Sequence, residues 1–305
     1  MSNRHTLYVI TGPTASGKSA LAVELARILD TEIISADSRQ VYQGIPVVTA
    51  VPTEEERGGV VHNLMEILPL EAYYSASEFE QDALRISDHL FAEHGCAVVC
   101  GGSMMYIDAL CNGIDDLPTV PESIRGVLME EWKAKGDEWL LGELLRLDPE
   151  YYRRVDQNNL KRVFHAVEIT LTAGKPYSSL LTGKTRQRDF RIIKVALGGE
   201  RQRLFDRINR RVLNMVDSGL EEEARGVYPR RELNSLNTVG LKEMFAWFDG
   251  KMTKEEAIAR IQKNTRVYAK KQLTWHKRDE SLVWLNFEDP YCENVRKILA
   301  LSGRE

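Results

Sequence analysis

The octapeptide GPTASGKS near the N-terminus has the P-loop spacing G-x-x-x-x-G-K-[ST]. Its two glycines let backbone N–H groups converge on a phosphate, its lysine adds a positive charge, and its last hydroxyl is a candidate metal ligand. The predicted phosphate-binding residues are Gly12, Pro13, Thr14, Ala15, Ser16, Gly17, Lys18 and Ser19. Most such loops hold the phosphates of a nucleotide, so the remaining residues must decide which phosphate is bound here.

A carboxylate and a hydroxyl follow two further apolar segments. Asp37 ends the segment EIISAD. Bound phosphates would repel a carboxylate at this place, so it needs a role, either as a metal ligand or as the acceptor of a proton from an incoming nucleophile. The alternative is a cap of the turn that begins there. Ser103 follows two glycines and offers a hydroxyl and an N–H at a helix N-terminus, where anions are favoured. The alternative is a plain strand-to-helix turn.

Two later segments carry basic residues at helical spacing. Arg203, Arg207 and Arg211 form one stripe, from which a guanidinium could clamp a diphosphate, although such stripes are commonly just solvated. In AIARIQKNTRVYAKKQLTWHKR, basic residues share one face and aromatic residues lie nearby. That pattern suits a nucleic-acid backbone and a stacked base, with core packing of the aromatic residues as the alternative.

The elements that position these residues are strands alternating with helices. Continuous apolar segments predict strands at 6–10, 32–37 and 96–102, and a helix is predicted from 18 to 29. Such alternation indicates a parallel sheet covered on both faces. Ligands bind at the carboxyl ends of the strands in these sheets, so Lys18, Asp37 and Ser103 should line one crevice.

The pattern changes in the middle of the chain. Residues 116–186 show helical spacing and no convincing strand, and strand patterns return at 190–199 and 282–287. We therefore predict an α/β fold: a P-loop-type parallel-sheet core flanked by helices, formed by 1–115 and 187–305, with a helical insertion domain at 116–186.

The composition is that of a globular protein: 305 residues, 43% hydrophobic and 28% charged. No apolar run approaches the roughly 20 residues of a membrane-spanning helix, and the first apolar stretch is too short for a secretory signal. We expect a cytoplasmic protein without a membrane partner. Cys96, Cys100, Cys111 and Cys292 fit no zinc or redox spacing and are expected to be free thiols.

Positive charge is unevenly distributed. The net charge is −4, yet residues 153–211 hold 15 Lys and Arg against 5 Asp and Glu, and residues 251–280 hold 9 against 4. Two basic segments in an otherwise acidic protein are compatible with one nucleic-acid-facing side.

Taken in order, several motifs resemble those of the tRNA dimethylallyltransferases, also called tRNA isopentenyltransferases. They are GPTASGKS, ISADSRQVY, YSASEFEQDAL, NLKRVFHAVEITLTAGKP, VGLKEMF and NTRVYAKKQLTW, and they cover nearly the whole chain. The resemblance implies transfer of a dimethylallyl group from dimethylallyl diphosphate to N6 of the adenosine 3′ of the tRNA anticodon, with Mg²⁺ as cofactor. The P-loop would then hold a departing diphosphate.

The resemblance also implies residue roles. Lys18 and Arg211 would grip the diphosphate, Ser103 would hydrogen-bond its bridging oxygen, Ser19 would hold Mg²⁺, and Asp37 would accept the proton of the adenine amine. The implied tRNA contacts are Asp37, Ser38, Arg39, Gln40, Ser103, Arg125, Lys161, Arg162, Val163, Phe164, His165, Asn237, Thr238, Val239, Gly240, Leu241, Lys242, Lys270, Lys271, Gln272, Leu273, Thr274, Trp275, His276 and Lys277. The insertion would grip the anticodon stem-loop, and we expect a monomer.

Some positions depart from the family pattern. Val51 replaces a lysine, Asn63 a histidine and Ser103 a threonine, while Leu241 stands where an aromatic residue is usual. We expect these changes to affect rate or tRNA preference. Three alternatives remain open: an isopentenyltransferase acting on free adenine nucleotide, a small-molecule P-loop kinase, and a non-catalytic RNA-binding relative.

Overall fold

The computed structural model describes residues 5–183 and 185–303, so positions 1–4, 184 and 304–305 of the predicted domains lie outside the described residues. The strands are β1 Thr6–Thr11, β2 Ile33–Ser35, β3 His62–Asn63, β4 Cys96–Cys100, β5 Arg191–Gly198 and β6 Val283–Asn286. The helices are α1 Lys18–Leu29, α2 Pro46–Thr49, α3 Glu54–Arg57, α4 Ala76–His94, α5 Met104–Asn112, α6 Glu122–Lys135, α7 Asp137–Leu147, α8 Pro149–Arg154, α9 Leu160–Ala173, α10 Tyr177–Leu180, α11 Arg201–Asp217, α12 Leu220–Val227, α13 Leu241–Phe248, α14 Lys254–His276 and α15 Tyr291–Ser302.

The strands form one parallel sheet in the order β3-β2-β4-β1-β5-β6. β1 lies at the centre, in register with β4 through Tyr8 and Val98 and with β5 through Tyr8 and Ile193. The predicted α/β class is confirmed. The five strands expected from the sequence are present, and the two-residue edge strand β3 was not predicted because it has no apolar run.

Both faces of the sheet are buried, which is why its strands read as continuous apolar runs. Along β1, Tyr8 and Ile10 pack into a cluster with α1, α11 and α15. Leu7 and Val9 point the other way and pack with α4 and α5. The alternation of side chains along a strand therefore supplies both layers from one segment.

A third apolar cluster lies beside the sheet. It joins α12, α13 and part of α14 to the segment that follows β2, through residues such as Ile45, Val212, Leu236 and Ile261. This cluster holds the C-terminal helices against the carboxyl edge of the strands.

The chain divides into two compact units, one of Met1–Asn112 with Gln187–Glu305 and one of Gly113–Arg186. The second unit contains the predicted insertion. Its described residues form helices α6 to α10 and no strand, around an apolar core that includes Leu140 and Val167.

Two further findings concern the cysteines and the character of the helices. The four cysteines are free thiols, three of them buried and Cys292 exposed. Among the described residues no helix combines the length and the apolar character that crossing a bilayer requires.

Candidate active site

A cavity of about 360 Å³ opens in the first unit at the carboxyl edge of β1, β2 and β4. Lys18 and Ser19 enter it from the P-loop, Asp37 from the end of β2 and Ser103 from the end of β4. The fourth side, α11, contributes Arg211. The crevice expected from the order of strands and motifs is therefore present.

The P-loop between β1 and α1 depends on unusual backbone angles. Gly12 and Gly17 have φ of 140° and 90°, a region that favours glycine, and Ala15 also has a positive φ of 62°. Pro13 accepts a hydrogen bond from Lys18 Nζ at 3.2 Å and one from Ser16 N at 3.3 Å. The loop thus folds around its own lysine.

Within the part of the chain that the structure describes, two cations face the cavity without an anionic partner. Among these residues Lys18 Nζ bonds only to a carbonyl, and the Arg211 guanidinium has no hydrogen bond and no ion pair. Burial lowers the pKa of both groups, an effect that the Asp37 carboxylate opposes. Two half-buried, unpaired cations form a site that is completed by an anion.

Asp37 is held by its own turn. Its Oδ1 accepts hydrogen bonds from the backbone N–H groups of Arg39 at 2.9 Å and Gln40 at 3.3 Å. This is the turn cap considered in the sequence, but it uses only one carboxylate oxygen. The side chain still lines the cavity, so a cap and a proton acceptor are compatible.

Ser103 directly precedes α5. Its N–H donates to the Ala36 carbonyl at 3.1 Å, and its side chain lines the cavity. A Cβ at Gly101 would lie 2.1 Å from the same Ala36 carbonyl, so only glycine permits this approach between β2 and β4.

Burial raises the pKa of the Cys100 thiol to about 11, an effect that the Ser19 hydroxyl opposes, so the thiol stays protonated. Among the described residues no group of three or more His, Cys, Asp or Glu could hold a metal. Mg²⁺ needs no such group, because it keeps waters and binds phosphate oxygens with few protein ligands. The Ser19 hydroxyl and the nearby Asp37 carboxylate are hard oxygen donors that fit it.

Several predicted tRNA contacts form one wall of the cavity. Lining residues from this set are Ser38, Arg39, Gln40, Asn237, Thr238, Val239, Gly240, Lys242 and Gln272. The Arg39 guanidinium donates to the carbonyls of Asn234 at 3.0 Å, Ser235 at 3.2 Å and Asn237 at 3.4 Å. Arg39 therefore anchors this wall, a role that the sequence did not indicate. Leu241 lies behind it, fully buried in the core, where an aliphatic side chain fills the position.

Helix α14 divides the predicted contacts between two faces. Lys270, Lys271, Thr274 and Lys277 are exposed, Leu273 and Trp275 are half-buried, and Gln272 and His276 are buried at 2% and 4% exposure. Burial lowers the pKa of His276 to about 4, so its imidazole is neutral. Both side chains are thus almost fully buried, although Gln272 also lines the cavity.

The neighbouring helix adds a feature that the sequence reasoning missed. The Phe205 ring on α11 lies 5.1 Å from the Arg201 guanidinium, 6.0 Å from that of Arg266 and 5.6 Å from Lys270 Nζ. An aromatic ring surrounded by cations joins the basic faces of α11 and α14 into one positive surface. A charge count along the chain shows the two segments but not their meeting.

In the second unit, the predicted contacts centre on a buried carboxylate. Glu168 binds Arg125 through two hydrogen bonds of 2.9 and 3.1 Å and His165 through one of 2.9 Å. Both partners remain part-exposed, and Lys161 and Arg162 are exposed. Val163 and Phe164 are buried in the core of the unit, so their side chains face away from solvent.

The chain is similar to known proteins in both sequence and structure. The model of the IPP transferase family matches residues 40–279. A tRNA dimethylallyltransferase 2 from Porphyromonas gingivalis is 48% identical over 93% of this chain and 95% of its own length. A tRNA dimethylallyltransferase 1 from Phocaeicola vulgatus is 49% identical over 92% of this chain and 94% of its own.

A solved structure agrees with these sequence matches. The tRNA isopentenylpyrophosphate transferase of Bacillus halodurans is 33% identical and covers 98% of this chain and 96% of its own, with a TM-score of 0.71. Family model, close relatives and fold thus coincide with the motifs that surround the cavity. The chain belongs to the IPP transferase family.

Proposed function

We propose that the protein transfers a dimethylallyl group from dimethylallyl diphosphate to N6 of the adenosine 3′ of the tRNA anticodon, releasing diphosphate. The observation that carries this proposal is the cavity shared by Lys18, Arg211 and Asp37. One side presents unpaired cations, and another presents apolar side chains such as Met65 and Val212. A small allylic diphosphate has the matching polarity: an anionic head and an apolar tail.

The reaction needs charge to be neutralised on the leaving group. As the bond between the allylic carbon and the diphosphate oxygen breaks, its electron pair leaves with the oxygen. Lys18 and Arg211 then face the growing negative charge in a half-buried site, where electrostatic stabilisation is strong. Ser103, at the start of α5, would donate a hydrogen bond to the departing oxygen.

The nucleophile, in contrast, needs a base that removes its proton. The lone pair of the adenine amine is delocalised into the ring, so N6 attacks well only if its proton is removed as the carbon–nitrogen bond forms. Asp37 is the carboxylate available in the cavity, and its Oδ2 would accept that proton while Oδ1 stays in the turn.

Mg²⁺ is part of this proposal. The hydroxyl of Ser19 would hold the ion. Bound there, the ion would supply further neutralisation of the leaving group.

The base must leave its stack to enter the cavity. Tyr268 of α14 lines the cavity and is 41% exposed, a suitable surface for a flipped adenine. The exposed lysines of α14 and the cations around Phe205 would bind the phosphate backbone. Lys161, Arg162, Arg125 and His165 of the insertion would bind the anticodon stem.

Incubation with labelled dimethylallyl diphosphate, Mg²⁺ and unmodified tRNA, followed by nucleoside analysis, tests the proposal. We expect label in N6-(dimethylallyl)adenosine. Label in free adenine nucleotide instead would support an isopentenyltransferase for nucleotides. Phosphorylation of an acceptor by ATP without prenyl transfer would support a kinase, and RNA binding without either product a non-catalytic relative. Light scattering and cell fractionation test the expected monomer and cytoplasmic location.

A further inference from the structure

We propose that Gln272 is a positioning residue for the diphosphate site: its side-chain amide ties the P-loop to the loop after β4 from within the helix that carries the exposed lysines. This inference rests on the proposed function. It assigns Gln272 a task inside the protein instead of the tRNA contact implied by the family resemblance.

The amide uses both of its ends. Oε1 accepts the backbone N–H of Thr14 at 3.0 Å, and Nε2 donates to the carbonyl of Gly102 at 2.9 Å. Thr14 belongs to the P-loop after β1, and Gly102 to the loop after the neighbouring strand β4. At 2% exposure the side chain has no water to replace either partner.

The Gln272 amide lies close enough to Gly102 to exclude a side chain at position 102. A Cβ built at Gly102 would lie 2.4 Å from Gln272 Nε2. Glycine at 102 therefore makes room for this amide, and the two motifs that contain these residues depend on each other.

The bond to Thr14 also determines the shape of the cradle. P-loops bind phosphates through backbone N–H groups. Here the Thr14 N–H is turned towards Gln272, next to Ala15, whose φ of 62° is unfavourable for a residue with a side chain. Such backbone persists only where its surroundings hold it. Gln272 thus helps to determine which N–H groups remain for the diphosphate.

A second tie lies one helical turn later. Thr11 Oγ1 donates to the Gly101 carbonyl at 3.0 Å and lies 3.1 Å from His276 Nε2. Because the hydroxyl proton is used on the carbonyl, the imidazole is the donor, with its proton on Nε2. From one face of α14, Gln272 thus bonds to both loops and His276 bonds to the end of β1, while Lys270, Lys271 and Lys277 are exposed.

The test measures binding of inorganic diphosphate to the purified full-length protein by calorimetry. Gln272→Met keeps the volume but loses both hydrogen bonds, and Gln272→Asn keeps an amide that is too short to span the two loops. We expect either variant to weaken the diphosphate Kd by about tenfold or more, with the tRNA Kd within about twofold of wild type. The melting temperature should fall, because the Thr14 N–H and the Gly102 carbonyl lose their buried partner. The KM for dimethylallyl diphosphate should rise without a matching rise in that for tRNA.

The matched control is Gln262→Met on the same helix, where the amide donates to the Asn209 carbonyl at 3.3 Å and does not reach the cavity. It should bind diphosphate as wild type does. If wild type binds inorganic diphosphate and both Gln272 variants bind it equally well, this inference is wrong and the proposed function stands. If the tRNA Kd weakens as much as the diphosphate Kd, the role is merely structural and the inference is likewise wrong. A wild-type protein that does not bind diphosphate overturns both.

Discussion

Asp37 Oδ1 accepts the backbone N–H of Arg39 at 2.9 Å, whereas Oδ2 has no hydrogen-bond partner among the described residues. The two oxygens of one carboxylate thus differ: Oδ1 is held in the turn, and Oδ2 is left for the proton-accepting role proposed above.

Substitution of Asp37 separates these tasks. Asp37→Asn keeps an acceptor for the turn but is a far weaker base, so turnover should fall by roughly 10²–10⁴-fold, the usual contribution of a positioned proton acceptor. The Kd for tRNA should change much less. Single-turnover kinetics and filter binding measure the two quantities. Near wild-type turnover in Asp37→Asn and Asp37→Ala would exclude the role of proton acceptor.

Lys18 should strengthen the binding of diphosphate while lowering the stability of the folded protein. Its charge is half-buried without an anionic partner, a state that burial disfavours and that lowers its pKa. We expect Lys18→Met to weaken the Kd for inorganic diphosphate by at least about tenfold while the melting temperature stays equal or rises. Calorimetry and thermal unfolding of the same samples measure both. Intact diphosphate binding, or a large loss of stability, would contradict this interpretation.

His276 predicts a pH dependence of folding. Its pKa is about 4 in the folded protein, below the ordinary value of 6.5, so the unfolded state takes up the proton first as pH falls. Between about pH 6.5 and 4 the free energy of unfolding should fall by up to about 3 kcal/mol from this group alone. Urea titrations of wild type and His276→Gln across this range isolate the contribution. Parallel pH profiles for the two proteins would refute it.

The exposed lysines of α14 predict a salt effect. Lys270→Ala or Lys271→Ala should weaken tRNA binding and reduce the slope of log K against log salt by about one per lost phosphate contact. Lys297→Ala is the matched control, since this α15 lysine is paired with Asp289 and Glu293 away from the proposed interface. Unchanged slopes for both α14 variants would remove these lysines from the interface.

Gly101 and Gly226 should respond oppositely to alanine. At Gly101 a Cβ would lie 2.1 Å from the backbone oxygen of Ala36, so Gly101→Ala should destabilise the first unit by about 1–3 kcal/mol. Gly226 lies within α12 with nothing within 4 Å of a new Cβ, so Gly226→Ala should stabilise it by about 0.5–1 kcal/mol. Denaturant unfolding compares them, and a neutral Gly101→Ala would show that β2 and β4 can separate.

The edge of the sheet that carries the site was predictable from simple rules. Lys18, Asp37 and Ser103 each follow a strand, and parallel strands bring their carboxyl ends together. The spacing of the P-loop and of the basic helical stripes is local information that a sequence displays directly.

The remainder depends on contacts between distant segments. Gln272 bonds to a residue 258 positions away, and Arg39 reaches carbonyls about 195 positions further along the chain. The position of Phe205 among three cations requires two helices to be placed side by side. No periodicity or spacing encodes such pairings, so the sequence did not show that Arg39 and Gln272 hydrogen-bond to distant backbone groups.

The second unit is one uninterrupted stretch, Gly113–Arg186, between α5 and β5. Exchanging the gene segment that encodes this unit would replace the proposed binding surface for the anticodon stem. Every residue that lines the catalytic cavity would stay the same. Substrate choice among tRNAs can in this way diverge between relatives while the prenyl chemistry is inherited intact.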